Sequence, residues 1–157
     1  MENERLGYSP EQQEKTKVVE LGDFDMKYFL EIAGEDRWIA IGQENCKNQQ
    51  YFTVIGEKGE KLGVVGAYDT VEDQNITHTV VDPKFRGQGL AGKFKDQLME
   101  KLDLPFLTMT IDLGNVASLK ATGKLPGVKR VSDAEYEQDF HKAKFVYENQ
   151  IPNKSID

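Results

Sequence analysis

Apolar and polar positions divide the chain into short segments with different periods. Thr16-Lys17-Val18-Val19-Glu20-Leu21 predicts a strand, and Met26, Phe29, Leu30 and Ala33 then recur at helical spacing over 26–32. Asp23 is placed to cap that helix. Residues 35–41, with Trp38, predict a second short helix. Two β-rich runs follow, 51–55 and 62–67, and Glu57-Lys58-Gly59-Glu60-Lys61 between them reads as a hairpin turn. Gly63 and Gly66 weaken the second run and mark a bulge or a close neighbour. The polar turn Glu72-Asp73-Gln74-Asn75 leads into a β-branched strand over 76–81.

Leu90, Phe94 and Leu98 next share one face of a long helix, with Lys93, Lys95 and Asp96 directed elsewhere. Pro105 opens a strand over 106–111, and Asp112-Leu113-Gly114 turns into a short helix over 115–124. Leu125-Pro126-Gly127 ends that helix. Residues 128–132 and 140–147 predict two closing strands, the second with Ala143, Phe145 and Tyr147 alternating with Lys142, Lys144 and Val146. His141 falls in that last strand with no obvious partner. The polar residues 1–15 are expected to form a loose arm and 149–157 a tail.

Length and charge narrow the picture. A chain of 157 residues can bury one real core and is short for two. Its net charge of -7 argues against non-specific nucleic-acid binding, which needs a basic surface. The charge is compatible with a cationic or amine partner, although solubility alone accounts for it. No apolar run is long enough to cross a membrane, the N-terminus lacks a signal-peptide core, and the sole cysteine, Cys46, cannot close an internal disulfide. A cytoplasmic protein without a membrane partner is therefore expected. His78, His141 and Cys46 are too far apart to suggest a metal site, so no metal is expected. Cys46 has no basic neighbour and reads as an inert thiol.

Candidate chemistry concentrates in Val80-Val81-Asp82-Pro83-Lys84-Phe85-Arg86-Gly87-Gln88-Gly89-Leu90-Ala91-Gly92. A strand runs through a glycine-punctuated turn into a helix start, where unpaired N–H groups and the helix dipole favour an anion. Gly87 and Gly89 let a ligand approach the backbone, and Arg86 adds a forked cationic donor. Gly-x-Gly after a strand also serves as a plain structural turn. The longer string is more specific: Arg86-Gly87-Gln88-Gly89-Leu90-Ala91 fits Arg/Gln-x-x-Gly-x-Gly/Ala, preceded by Val-x-Pro-x-x. It resembles the coenzyme A pyrophosphate loop of the GNAT superfamily of N-acetyltransferases. It lacks the Gly-Lys-Ser/Thr of a Walker loop and the third glycine and acidic residue of a Rossmann fingerprint.

The order of elements is similar to that superfamily's over residues 16–148. The resemblance implies a single α/β (α+β) domain: a mixed, mostly antiparallel sheet of six to seven strands flanked by about four helices. It implies acetyl-CoA as co-substrate, held between splayed strands at 76–81 and 106–111. Backbone groups near Val81 would hold the pantetheine. N–H groups of Gly87, Gln88, Gly89, Leu90, Ala91 and Gly92 would hold the pyrophosphate, with Arg86 alongside. Asn115 and Ser118 match the family's Asn-x-x-Ala/Ser, whose Asn contacts the cofactor arm, although a helix N-cap explains Asn115 equally well. Lys120 and Lys124 could reach the 3′-phosphate or be ordinary solvated charges.

The implied reaction transfers an acetyl group to a primary amine of a small molecule or a protein. His78 and Glu72 are the candidate bases, with Asp69 and Asp73 as rivals; a structural histidine and a solvated turn are the alternatives. Many relatives carry a Tyr acid seven residues after the Asn, where this chain has Thr122, so Tyr136, Tyr147 or water would have to protonate the thiolate. Thr122 also keeps open a different class of function, a catalytically weak or silent acyl-CoA-binding module that acts as a sensor or partner protein. Tyr28, Phe29 and Trp38 lie in the early helices that would cover the acceptor groove, and read equally as core. The last two strands could pair between subunits as a homodimer.

Overall fold

A computed structural model describes residues 16–34 and 43–150. The expected helix over 35–41 with Trp38, the arm over 1–15 and most of the tail lie outside the described residues. The elements are β1 (Val18–Asp23), α1 (Met26–Ala33), β2 (Lys47–Gly56), β3 (Lys61–Asp69) and β4 (Ile76–Val81). A 3-10 turn (Pro83–Phe85) and α2 (Leu90–Leu102) follow. The chain then forms β5 (Phe106–Asp112), α3 (Val116–Gly123), β6 (Val128–Arg130), α4 (Ala134–Phe140) and β7 (Lys142–Glu148). The seven strands form one sheet in the order β1-β2-β3-β4-β5-β7-β6. Among the described residues only β4 and β5 are parallel neighbours; the other pairs are antiparallel. The expected mixed, mostly antiparallel sheet with helices is the fold observed.

The back face of the sheet carries the main core. Leu90, Phe94, Leu98 and Met99 of α2 pack on Leu62, Val65, Leu107, Met109, Phe145 and Tyr147. Full burial of side chains of this size contributes about 1.5–3 kcal/mol each. On the front face α1 sets Tyr28, Phe29 and Ala33 against Val64 and Val80. A smaller front cluster joins Cys46, Tyr51, Tyr68 and Ile76, which makes the cysteine a packing residue.

Both expectations for the strand glycines are met in β3. Register runs from Val54↔Gly63 to Ile55↔Lys61, so Leu62 is an extra residue and β3 bulges there. A Cβ on Gly63 would collide with the Val80 carbonyl and lie 2.6 Å from the Phe94 ring. One on Gly66 would run into the Tyr51 ring.

Three local expectations are corrected, and one helix is added that the sequence pattern does not predict. Asp25, not Asp23, caps α1, its Oδ1 accepting from the Tyr28 N–H at 3.1 Å, while Asp23 ends β1. Lys95 is buried at 8 % exposure, because the buried stripe of α2 is broad enough to include Phe94, Lys95, Leu98 and Met99 together. The segment 134–140 is helical: Asp133 caps α4 by accepting from the Tyr136 N–H at 2.8 Å. None of α4's residues is buried, so it leaves no apolar period in the sequence. His141 is the exposed C-cap of α4 in a left-handed conformation (φ 56°), and the last strand starts after it.

Candidate active site

The sheet opens between its two parallel strands. Among the described residues β4 and β5 are paired in register only at Ile76↔Thr108. That junction is stitched firmly. The Thr108 N–H donates to the Asn75 carbonyl at 2.8 Å, Thr108 Oγ1 to the Gln74 carbonyl at 2.9 Å, and Asn75 Nδ2 to the Phe106 carbonyl at 3.1 Å. Beyond it each arm is held by its outer neighbour, β4 by β3 as far as Val81 and β5 by β7 as far as Asp112. In a strand the N–H and C=O of one residue share an edge, and the next residue's point to the opposite edge. Because the Asn75 carbonyl faces β5, the main-chain groups of Thr77, Thr79 and Val81 face the cleft. Those of Thr110 and the N–H of Asp112 face it from the other side, while the Asp112 carbonyl accepts from the Asn115 N–H at 2.9 Å. An extended ligand with amide groups can pair with such edges as an added strand would.

The mouth of the cleft leads directly into the glycine loop. Asp82, 3 % exposed, ends β4 and caps the 3-10 turn, its Oδ1 accepting from the Lys84 N–H at 3.0 Å. Arg86 is exposed, and its Nε donates to the Val81 carbonyl at 3.1 Å, which holds the guanidinium beside the cleft. Gly87 (φ 84°) and Gly89 (φ 72°) adopt left-handed conformations that disfavour other residues. A Cβ at either would meet nothing within 4 Å, so the space above the loop is open to a ligand.

Gly89 is the N-cap of α2 and supplies no side-chain cap. The N–H groups of Gly89, Leu90, Ala91 and Gly92 are therefore the orphan donors of the helix, and the dipole adds partial positive charge to them. The Leu90 side chain, 2 % exposed, anchors this turn in the core. Gly92 has a separate reason to be glycine: a Cβ there would come 2.8 Å from Leu125 Cδ2. Gln88 ties the loop to the start of the domain, its Oε1 accepting from the Thr16 N–H at 3.1 Å.

The remaining candidates scatter. Asn115 is the N-cap of α3, and its Oδ1 accepts from the Ser118 N–H at 3.2 Å, leaving the amide nitrogen as its group for a ligand. Lys120 and Lys124 are exposed, and Thr122 is buried on α3. Tyr147 is buried in the back core and donates to Asp96 Oδ1 at 2.6 Å. Burial and that carboxylate push its phenol well above the ordinary range. Tyr136, on α4, lies with its ring centroid 5.0 Å from Lys144 Nζ and 4.7 Å from the Phe140 ring.

His78 lies on the front face with Ile76 and Val80, as strict alternation requires, because β4 keeps unbroken register with β3. It is half-buried, and its ring meets Phe29 edge-on at 5.8 Å. Among the acidic candidates Glu72 is exposed on the turn before β4. Both oxygens of Asp73 accept from Lys144 Nζ at 2.9 Å. Asp69 accepts from the Asn75 N–H at 2.8 Å and from Asn48 Nδ2 at 2.7 Å. Asp69 and Asp73 thus shape the turn that carries Glu72. Lys144 is held charged, its pKa raised chiefly by the bond to Asp73.

Sequence reasoning passed over Asp82 and Lys144. Asp-Pro at a strand end was a usable signal for a capped turn. The Lys144–Asp73 pair joins residues far apart in the chain and left no signal. Among the described residues no group of His, Cys, Asp and Glu side chains could hold a metal ion, and no helix is long and apolar enough to cross a membrane.

No family model matches the chain, and no curated protein matches it in sequence. Solved structures match it in shape. It is similar to an acetyltransferase from Bacillus subtilis in complex with CoA, at 14% identity over 85% of this chain and 99% of that one, with a TM-score of 0.60. It is similar to a protein from Bordetella pertussis assigned to the GNAT family of acetyltransferases, at 17% identity over 85% and 99% of the two chains, with a TM-score of 0.53. A chimera of the spermidine N-acetyltransferase SpeG from Vibrio cholerae and hSSAT matches at 12% identity over 87% and 96%, with a TM-score of 0.55. At these identities the likeness shows the fold, and the fold is that of the GNAT acetyltransferases.

Proposed function

We propose that the protein is an acyltransferase that takes the acetyl group of acetyl-CoA and gives it to a primary amine. One observation carries this reading: the strand edges that β4 and β5 do not pair with each other run straight into the orphan N–H groups and open glycine positions at the start of α2. A ligand that fits both has a peptide-like arm and an anionic centre, which is the makeup of coenzyme A. The CoA held by the Bacillus subtilis structure supports the choice.

In this reading Gly87, Gln88, Gly89, Leu90, Ala91 and Gly92 donate their N–H groups to the diphosphate. Arg86 supplies the balancing charge. Val81 pairs with the pantetheine, and a backbone N–H near it on the inner edge of β4 polarises the thioester carbonyl. Asn115 and Ser118, at the start of α3, flank the arm from the β5 side. The amine nucleophile must be neutral to attack the carbonyl carbon. His78, directly or through water, removes its proton, with Glu72 as the second candidate. The C–N bond forms, the C–S bond breaks, and the thiolate takes a proton from water or Tyr136. Thr122 is buried and Tyr147 is committed to Asp96, so neither serves.

The acceptor is an amine of a small molecule or a protein. The spermidine N-acetyltransferase in the Vibrio chimera and the net charge of -7 both favour a cationic small molecule.

Calorimetric titration of acetyl-CoA into the wild type and Arg86→Ala, with ATP as control, tests the site. Micromolar binding that weakens about tenfold in the variant is expected. Equal binding of ATP, or none of either ligand, overturns the reading. Turnover with a panel of amines then tests the reaction. Tight acetyl-CoA binding with no turnover on any amine would instead identify a silent acyl-CoA-binding module.

A further inference from the structure

The front helix and the glycine loop meet at a pair of side chains that the proposed reaction does not use. Tyr28 of α1 is buried, and its hydroxyl donates to Asp82 Oδ2 at 2.8 Å, with the Lys61 carbonyl a second acceptor at 3.0 Å. Burial and the neighbouring carboxylate push the phenol well above its ordinary range, so it stays a donor. The other polar atoms of Asp82 are engaged as well. Oδ1 takes the Lys84 N–H at 3.0 Å, the carbonyl takes the Phe85 N–H at 2.9 Å, and the N–H donates to the Leu62 carbonyl at 2.8 Å. Asp82 is thus the corner at which β4 stops and the loop begins.

Tyr28 is itself fixed from two sides. Its N–H is capped by Asp25 at 3.1 Å, and Asp25 pairs with Lys61 at 2.8 Å. Lys61 Nζ also sits 5.5 Å from the centre of the Tyr28 ring. The start of α1, the start of β3 and the Asp82 corner form one unit. On the far side of the corner, Arg86 reaches back to the Val81 carbonyl. A phenylalanine would fill the same core volume, so what Tyr28 adds is the hydroxyl. What the hydroxyl adds is a partner for a carboxylate that is expensive to bury unpaired.

We propose that Tyr28 is a positioning residue for the cofactor loop. Through Asp82 it sets the direction in which the Pro83–Phe85 turn delivers Arg86 and the N–H groups of Gly87 to Gly92. This rests on the reading of that loop as the diphosphate site. The role is distinct from support of the core, because it acts on ligand affinity in molecules that are fully folded.

The test is acetyl-CoA affinity of Tyr28→Phe at a temperature where its melting curve shows it folded, with loop amide resonances recorded without ligand. Affinity is expected to fall about threefold to tenfold, the worth of one hydrogen bond. The amide signals of Gly87, Gly89 and Leu90 are expected to shift. Asp82→Ala removes the acceptor from the other end of the bond, together with the Lys84 cap, and is expected to lower the affinity at least as far. In Tyr28→Phe combined with Arg86→Ala the loss is expected to be smaller than the product of the single losses, because part of the Tyr28 effect passes through Arg86. A folded Tyr28→Phe that binds acetyl-CoA as the wild type does, with loop amides unmoved, would overturn the positioning role and leave the diphosphate site standing. A wild type that binds no acetyl-CoA would overturn the diphosphate site, and the positioning role with it.

Discussion

The two sides of the cleft are built differently. On the loop side, from Asp82 to the first turn of α2, the groups on offer to a ligand are mostly main-chain: left-handed glycines, orphan N–H groups and one arginine within a short stretch. On the front side the walls come from distant segments, with α1, the turn before β4, β7 and α4 brought together by side chains such as Lys144 and Asp73. A backbone cradle depends on few side-chain identities and suits a ligand that does not change. A wall of side chains from several segments can be altered piece by piece and suits a partner that does. In the proposed reading the loop side therefore takes the cofactor and the front side the acceptor.

The largest expected effect breaks the loop side. Gly89→Val forces a β-branched residue into a left-handed conformation and fills the open space above the loop. Acetyl-CoA affinity should fall about a hundredfold in calorimetry. Denaturant titration should show only about 1–2 kcal/mol lost from the fold.

Lys144→Met sharpens the contrast from the front. It should raise the KM for any amine that is turned over while leaving acetyl-CoA affinity within about twofold of wild type. The pair with Asp73 raises the lysine pKa, so its stabilisation is present below the ordinary lysine value of 10.5 and is lost as pH rises through the higher folded value. The variant's stability deficit should accordingly vanish in strong alkali.

Lys95→Met tests the back of the same helix that carries the loop. Burial lowers the Lys95 pKa from 10.5 to about 8. Between those values the unfolded chain binds the extra proton, so wild-type stability gains with pH from about 8 to 10.5, and the full penalty applies below 8. Replacement by methionine should stabilise the protein at neutral pH by about 1–3 kcal/mol, and the gain should disappear above pH 10.5. Asn115→Ala is the smallest change. Loss of the α3 cap should lower stability by about 1 kcal/mol and, through the flank of the cofactor arm, weaken acetyl-CoA binding about twofold.

The same contrast decides what could be read from the chain alone. The sheet, the long helix and the glycine loop were legible because each has a local signature: Leu90, Phe94 and Leu98 in one stripe, the β-branched run before Asp82-Pro83, and Gly87 and Gly89 at a helix start. Helix α4 was not, because it buries none of its side chains and so has no apolar period. The Asp25 cap was displaced from Asp23 by the strand running on to Asp23. Lys95 defeats the rule that a charged residue marks the solvent face, since a long side chain can lie along apolar neighbours. Tyr28–Asp82 and Lys144–Asp73 are long-range pairs, and no spacing rule reaches across a fold. The front side is joined by pairs of this kind, which is why its chemistry was the less legible half.

Among the described residues Ile76↔Thr108 is the one registered pair that joins β4 to β5. It divides the sheet into two leaves, β1–β4 and β5–β7–β6, backed by α2. A bound molecule that bridges the leaves becomes a temporary strand of the sheet. Occupancy should therefore slow hydrogen exchange in Thr77–Val81 and Thr110–Asp112 together. It should also raise the unfolding free energy by about 2.7 kcal/mol at a ligand concentration a hundred times Kd.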